Sequence, residues 1–147
     1  MQAFFLYVVA LGAGVSVAIQ QVINGSLRAS LGSPAWAGLF SYVGGLLTMI
    51  IAVVALGEHV PSWKLMANTS WWAWSGGVFG GVFILLLILL LPSLGAATLL
   101  ALVVAGQVLA AITLDHFGAL GLTPHPVTTA RFLGAALVIA GAVLIRN

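Results

Sequence analysis

Three carboxamides close together on one hydrophobic stretch, Gln20, Gln21 and Asn24, are the residues of this chain best suited to chemistry. On a helix Gln20 and Asn24, four apart, share a face with Ser16 one turn earlier, and Gln21 lies about 100° around from Gln20. An amide both donates and accepts hydrogen bonds, so it can hold a polar solute without the cost of a buried charge. The same groups also join neighbouring helices, for about 1 kcal/mol or less each. Substrate contact and helix bonding stand equally open for Gln20 and Asn24. Gln107 is the one amide in the middle of a later apolar stretch, beside Gly106, Ala110 and Ala111. Those small neighbours suit a cavity wall or a close helix crossing. Ser41, Gly45 and Thr48 make a mild polar stripe next to Tyr42, and Ser and Thr hydroxyls there favour bonding to their own helix backbone.

Other chemistry has little support. The chain has no Gly-rich phosphate loop, no paired acidic motif for a metal-bound diphosphate and no Ser-His-Asp spacing, so no enzyme is expected. His59, His116 and His125 are scattered over connections, and with no cysteine there is neither a thiolate site nor a disulfide. No metal or cofactor is expected. No basic cluster points to nucleic acid. Asp115 is expected as a loop or snorkelling residue at a helix end rather than in a coupling role. Glu58 falls in an aqueous connection.

These residues need a membrane around them. The 147-residue chain is 63% hydrophobic and only 4% charged, with a mean hydropathy of +1.26, whereas soluble domains carry about 25% charge. The apolar runs are too long and uncharged for transmembrane strands, which leaves an all-α integral membrane protein. Crossing about 30 Å of hydrocarbon takes roughly 20 residues. Five crossings fit, at about 3–27, 35–56, 71–91, 93–114 and 127–145, in a single five-helix domain spanning 1–147. The first stretch lacks a charged leader and a cleavage site, so it is expected to be a retained helix. Gly32, Ser33 and Pro34 make the first break, and Pro92 and Ser93 a tight reversal. Trp63, Trp71, Trp72 and Trp74 cluster as a headgroup belt. Arg146 and Asn147 remain as a short tail.

Positive charge prefers cytoplasmic loops, yet Lys64 and Arg131 fall on one side of the five crossings and Arg28 and Arg146 on the other. A chain with no bias can insert both ways. Two oppositely oriented copies then make a ten-helix inverted repeat, a plan that secondary transporters use with the substrate at the midplane. Gly76, Gly77, Gly80 and Gly81 form two overlapping GxxxG patterns, and Gly134 and Gly141 share a face seven residues apart. Both stripes are candidates for close helix packing.

Four motifs in order, Gln20-Gln21-x-x-Asn24-x-x-Leu27, Trp71-Trp72-Ala73-Trp74-x-Gly76-Gly77, Gly106-Gln107 and Asp115-x-Phe117-Gly118, resemble the YdcZ family of the drug/metabolite transporter superfamily over essentially the full chain. The resemblance implies a half-length, five-helix protein of bacterial inner membranes, working as an antiparallel homodimer or paired with a homologous second chain. Its substrates are poorly defined. Val22 follows Gln21 where a proline is common in the family. The buried carboxylate of the small multidrug members has no counterpart among Gln20, Gln21 and Asn24, so their proton antiport does not carry over.

The expectation is a small-solute secondary transporter or exporter working by alternating access, in the bilayer, as a dual-topology dimer. Gln20, Asn24 and Gln107 would line its central site, with Tyr42 and Trp74 as aromatic contributors to binding of an unidentified small molecule. A non-transporting scaffold or assembly subunit would instead have a packed polar centre without a cavity. A passive channel would need a continuous wet pore, which such apolar helices disfavour.

Overall fold

The computed structural model describes Gln2–Arg146, and within it the chain is helical almost throughout. Asn147, the end of the expected tail, lies outside the described residues, while Arg146 closes the last helix. The helices are α1 (Gln2–Leu31), α2 (Pro34–Ala55), α3 (Trp63–Ala67), α4 (Gly76–Leu94), α5 (Ala96–Phe117) and α6 (Thr129–Arg146), with 3-10 turns at Trp71–Ser75 and Ala119–Gly121. Among the described residues, four spans are long and apolar enough to cross a membrane: Phe4–Leu31, Pro34–Ala55, Trp71–Leu94 and Ala96–Phe117. The apolar helix Thr129–Ile145 is shorter.

Local chemistry sets the boundaries. Ser33 caps α2, its hydroxyl accepting from the Trp36 N–H at 3.3 Å, and Pro34 sits at the first turn, where its missing N–H costs nothing. Ser62 caps the short α3 in the same way, accepting from the Leu65 N–H at 3.4 Å. This small helix lies inside the stretch expected to be a polar connection.

The break expected at Pro92 falls later. Pro92 lies within α4, and the chain leaves the helical region at Gly95, where φ is +73°. A side chain would strain that conformation, whereas a proline in the final turn removes only one hydrogen bond. In the same way α1 continues past Leu27 to Leu31, and α5 runs through Asp115 and His116 to Phe117.

The chain divides into two compact units, Met1–Pro92 and Ser93–Asn147. In the first, α1 and α2 pack antiparallel, and a small core of Ala37, Ile84 and Ile88, with Leu27 and Phe83 against it, joins α4 to them. Gly38 lies against Ile84 and Ile88, so the backbone of α2 passes close to the α4 side chains. In the second, α5 and α6 pack along their length, and Leu99, Ala105, Ala135 and Ala142 are buried. Small residues at 105, 135 and 142 permit this approach. Most large apolar side chains in both units face outward, as required of helices whose solvent is lipid.

Candidate functional site

The C-terminal half of α1 gathers the polar groups of the first unit. Gln21 is completely buried and Asn24 is 3% exposed. Among the described residues, Gln21 Nε2 and Oε1 and Asn24 Nδ2 have no hydrogen-bond partner. Leaving such atoms unpaired costs about 1–3 kcal/mol each. Gln20, by contrast, is exposed and lines a groove of about 290 Å³ together with Ser41, Tyr42, Gly45, Phe83 and Ile84. A neighbouring groove of about 270 Å³ is lined by Ala35, Gly38, Leu39, Tyr42, Gly81, Ile84 and Leu85. Tyr42 and Ile84 belong to both and divide them.

Depth can be read along the helices. Gln20 and Gly45 are each eleven residues from the ends of their helices at the Gly32 turn, and Asn24 and Ser41 are each seven. At 1.5 Å per residue those depths are about 16 Å and about 10 Å. The lining groups therefore lie between the membrane edge and the middle of a layer about 30 Å thick. Every polar group among them is an amide or a hydroxyl.

The position of Tyr42 depends on a glycine. A Cβ built on Gly80 would stand 2.5 Å from the Tyr42 hydroxyl oxygen, so a side chain at residue 80 would require the tip of the phenol to shift. Gly81 lines the adjoining groove, and added Cβ atoms at Gly76 and Gly77 would meet nothing within 4 Å. Trp74 is 61% exposed in the 3-10 turn before α4 and lines neither groove.

Arg28 ties α1 to α4 below these groups. One guanidinium nitrogen donates to the Ile88 carbonyl at 2.7 Å and to the Leu89 carbonyl at 3.2 Å. Ile88 is four residues before Pro92, and proline has no N–H to return to that carbonyl. The arginine thus supplies the donor that the proline removes. Gln21, Gly25 and Arg28 fall on one stripe of α1, and Gly25 meets the Leu91 side chain of α4.

In the second unit Gln107 lies mid-helix on α5 with its side chain exposed, ten residues from Phe117. Gly134 and Gly141 leave open space on α6, and Gly141 lines a groove of about 450 Å³ with Ala97, Ala101, Val104, Val138 and Ala142 among others. At the end of α5 Asp115 pairs with Arg131 at 3.2 Å. The Asp115 carbonyl accepts from the His125 N–H at 2.7 Å, and His116 Nδ1 accepts from the Val127 N–H at 3.3 Å. Gly118, with φ +59°, caps α5, and a Cβ there would come within 2.6 Å of Pro124. Asp115 and its neighbours therefore close the α5–α6 connection. Among the described residues no three of His, Asp and Glu converge as a metal site.

The α1–α2–α4 grooves unite Gln20 with Tyr42. Asn24 and Gln21 are buried on α1 and line neither groove. Sequence reasoning passed over Gln21 as a site residue because it could not fix the rotation of α1, and Arg28 because its partners are backbone carbonyls sixty residues away.

Comparison with known proteins adds one finding. Residues 5–144 match the family described as "Putative inner membrane exporter, YdcZ". No curated protein and no solved structure matches the chain.

Proposed function

Because the chain belongs to the YdcZ family of inner-membrane exporters, we propose that it carries a small solute by alternating access, as a pair of oppositely oriented copies. It is a multi-pass protein of the inner membrane, and an exporter family is not an enzyme class. In the proposed dimer Gln20, Asn24 and Gln107 contact the solute. Tyr42 flanks it, and Trp74 contributes from the 3-10 turn that precedes α4.

One observation carries this reading: Gln20 and Gln107 are both exposed amides about half a membrane thickness from a helix end. Hydrocarbon gives an amide no partner, so something polar must cover each of them. A two-fold axis in the membrane plane carries residues at the midplane onto the same depth in the other copy. Pairing antiparallel copies is therefore the arrangement that brings such amides together around a shared path. The even split of Arg28 and Arg146 against Lys64 and Arg131 along the chain supports insertion in both senses.

Flux from reconstituted vesicles, with and without an ion gradient, tests the proposal. Asn24→Ala and Gln107→Ala are each expected to reduce flux while the dimer survives. Loss of folding without a specific loss of flux would favour amides that only join helices, as in a membrane scaffold.

A further inference from the structure

Resting on the exporter reading, we infer that Gln21 and Asn24 form a binding element for an uncharged solute that both donates and accepts hydrogen bonds, such as a primary amide or lactam edge on an apolar body. Gln21 is fully buried and Asn24 nearly so, yet three of their polar atoms have no partner. Two of these are amide nitrogens with hydrogens to donate, and the third, Gln21 Oε1, is an acceptor. The complementary ligand group offers an acceptor and a donor in one compact edge.

Charge selection follows from the surroundings. Gln20, the residue before Gln21, lines a groove with Ser41 and Tyr42, which add amide and hydroxyl groups, while Phe83, Ile84 and Gly45 add apolar surface. The chain has two carboxylates, Glu58 in a connection and Asp115 paired with Arg131 in the second unit. A cationic solute in this groove would lose its hydration with no opposite charge in the lining to offset it. An anion finds no cation in the groove lining either, since Arg28 lies outside it and donates to the Ile88 and Leu89 carbonyls. A neutral amide gives up less hydration and satisfies the atoms that the empty protein leaves unpaired.

The pair also makes a prediction that helix-joining amides would not. If Gln21 bonds across helices, replacing it with an apolar side chain removes a stabilising contact. If it waits for a ligand, the replacement removes an unpaired polar group and stabilises the empty protein.

The experiment measures melting temperature of the purified full chain in lipid nanodiscs, with benzamide, benzylammonium and benzoate as probes of one ring and three charges. Benzamide is expected to raise the melting temperature saturably and the two ions to leave it unchanged. Gln21→Met is expected to raise the melting temperature without ligand and to weaken benzamide by about tenfold, the equivalent of one lost hydrogen bond. Asn24→Leu is read in the same way if Gln21→Met does not fold. No shift with benzamide, an equal shift with either ion, or a lower melting temperature for both ligand-free variants would overturn the inference. Vesicle flux in the same preparation keeps the two readings apart: an exporter that moves benzylammonium loses the neutral-solute assignment and keeps its transport function.

Discussion

Neighbouring glutamines on α1 meet different surroundings: Gln21 is fully buried, whereas Gln20 is exposed to a groove. The 100° between consecutive residues is enough to separate them. The sequence makes the cluster legible, since polar side chains in an apolar helix stand out. Spacing alone pairs Gln20 with Asn24, whereas packing, which decides the rotation of the helix, buries Gln21 with Asn24 instead. Gln20→Leu is expected to leave the stability within about 0.5 kcal/mol of wild type, as for an exposed site, and to reduce flux. An equal loss of stability and flux would place Gln20 in the packing instead. At the far end of α5, Gly118→Ala is expected to destabilise by about 1–3 kcal/mol, from a left-handed backbone and the approach of Pro124. A denaturation series in mixed micelles reads that change directly. By contrast, Asp115→Asn is expected to cost less than about 1 kcal/mol in the same series. Its partner Arg131 is partly exposed, and backbone bonds also hold that connection.

The element that most departs from sequence expectation is α4. Proline next to serine in a long apolar run reads as a break, and the helix continues through both because the lost bond is replaced from outside. Arg28 donates to the Ile88 carbonyl that Pro92 cannot serve. A bond that spans sixty residues leaves no trace in local pattern. Its energetics are testable by a double-mutant cycle. Arg28→Ala is expected to destabilise by about 1.5–3 kcal/mol, the range for hydrogen bonds to charged groups. Pro92→Ala restores an N–H to position 92, so adding it to Arg28→Ala is expected to recover most of that loss. Strict additivity of the two changes would show that Arg28 contributes elsewhere. The helical character and approximate extent of the apolar elements were legible, because uncharged runs of membrane length have few alternatives. The small α3 was not, since its five residues carry no apolar period.

At the scale of the whole molecule, the outward-facing apolar surface fits a chain immersed in lipid. Composition alone announced that environment, and the ordered motifs announced the family that residues 5–144 match. On the proposed pairing of copies the sequence offers only a balance of charges, which says what insertion permits and nothing about contact. If orientation is evenly poised, small biases should decide it. Ser30→Lys and Asn68→Lys add positive charge at opposite ends of the spans. Each alone is expected to lose the dimer, and the two expressed together with different tags are expected to restore it, as read by co-purification. Recovery of a dimer from either variant alone would argue for copies that lie parallel.

Topology is the most direct test of the central claim. The chain has no cysteine, so Ser30→Cys and Asn68→Cys each provide a single site for a membrane-impermeant maleimide. In right-side-out and inverted vesicles, the account predicts that each site reacts from both faces in comparable yield. Labelling of each site from one face only would contradict the paired, oppositely oriented transporter.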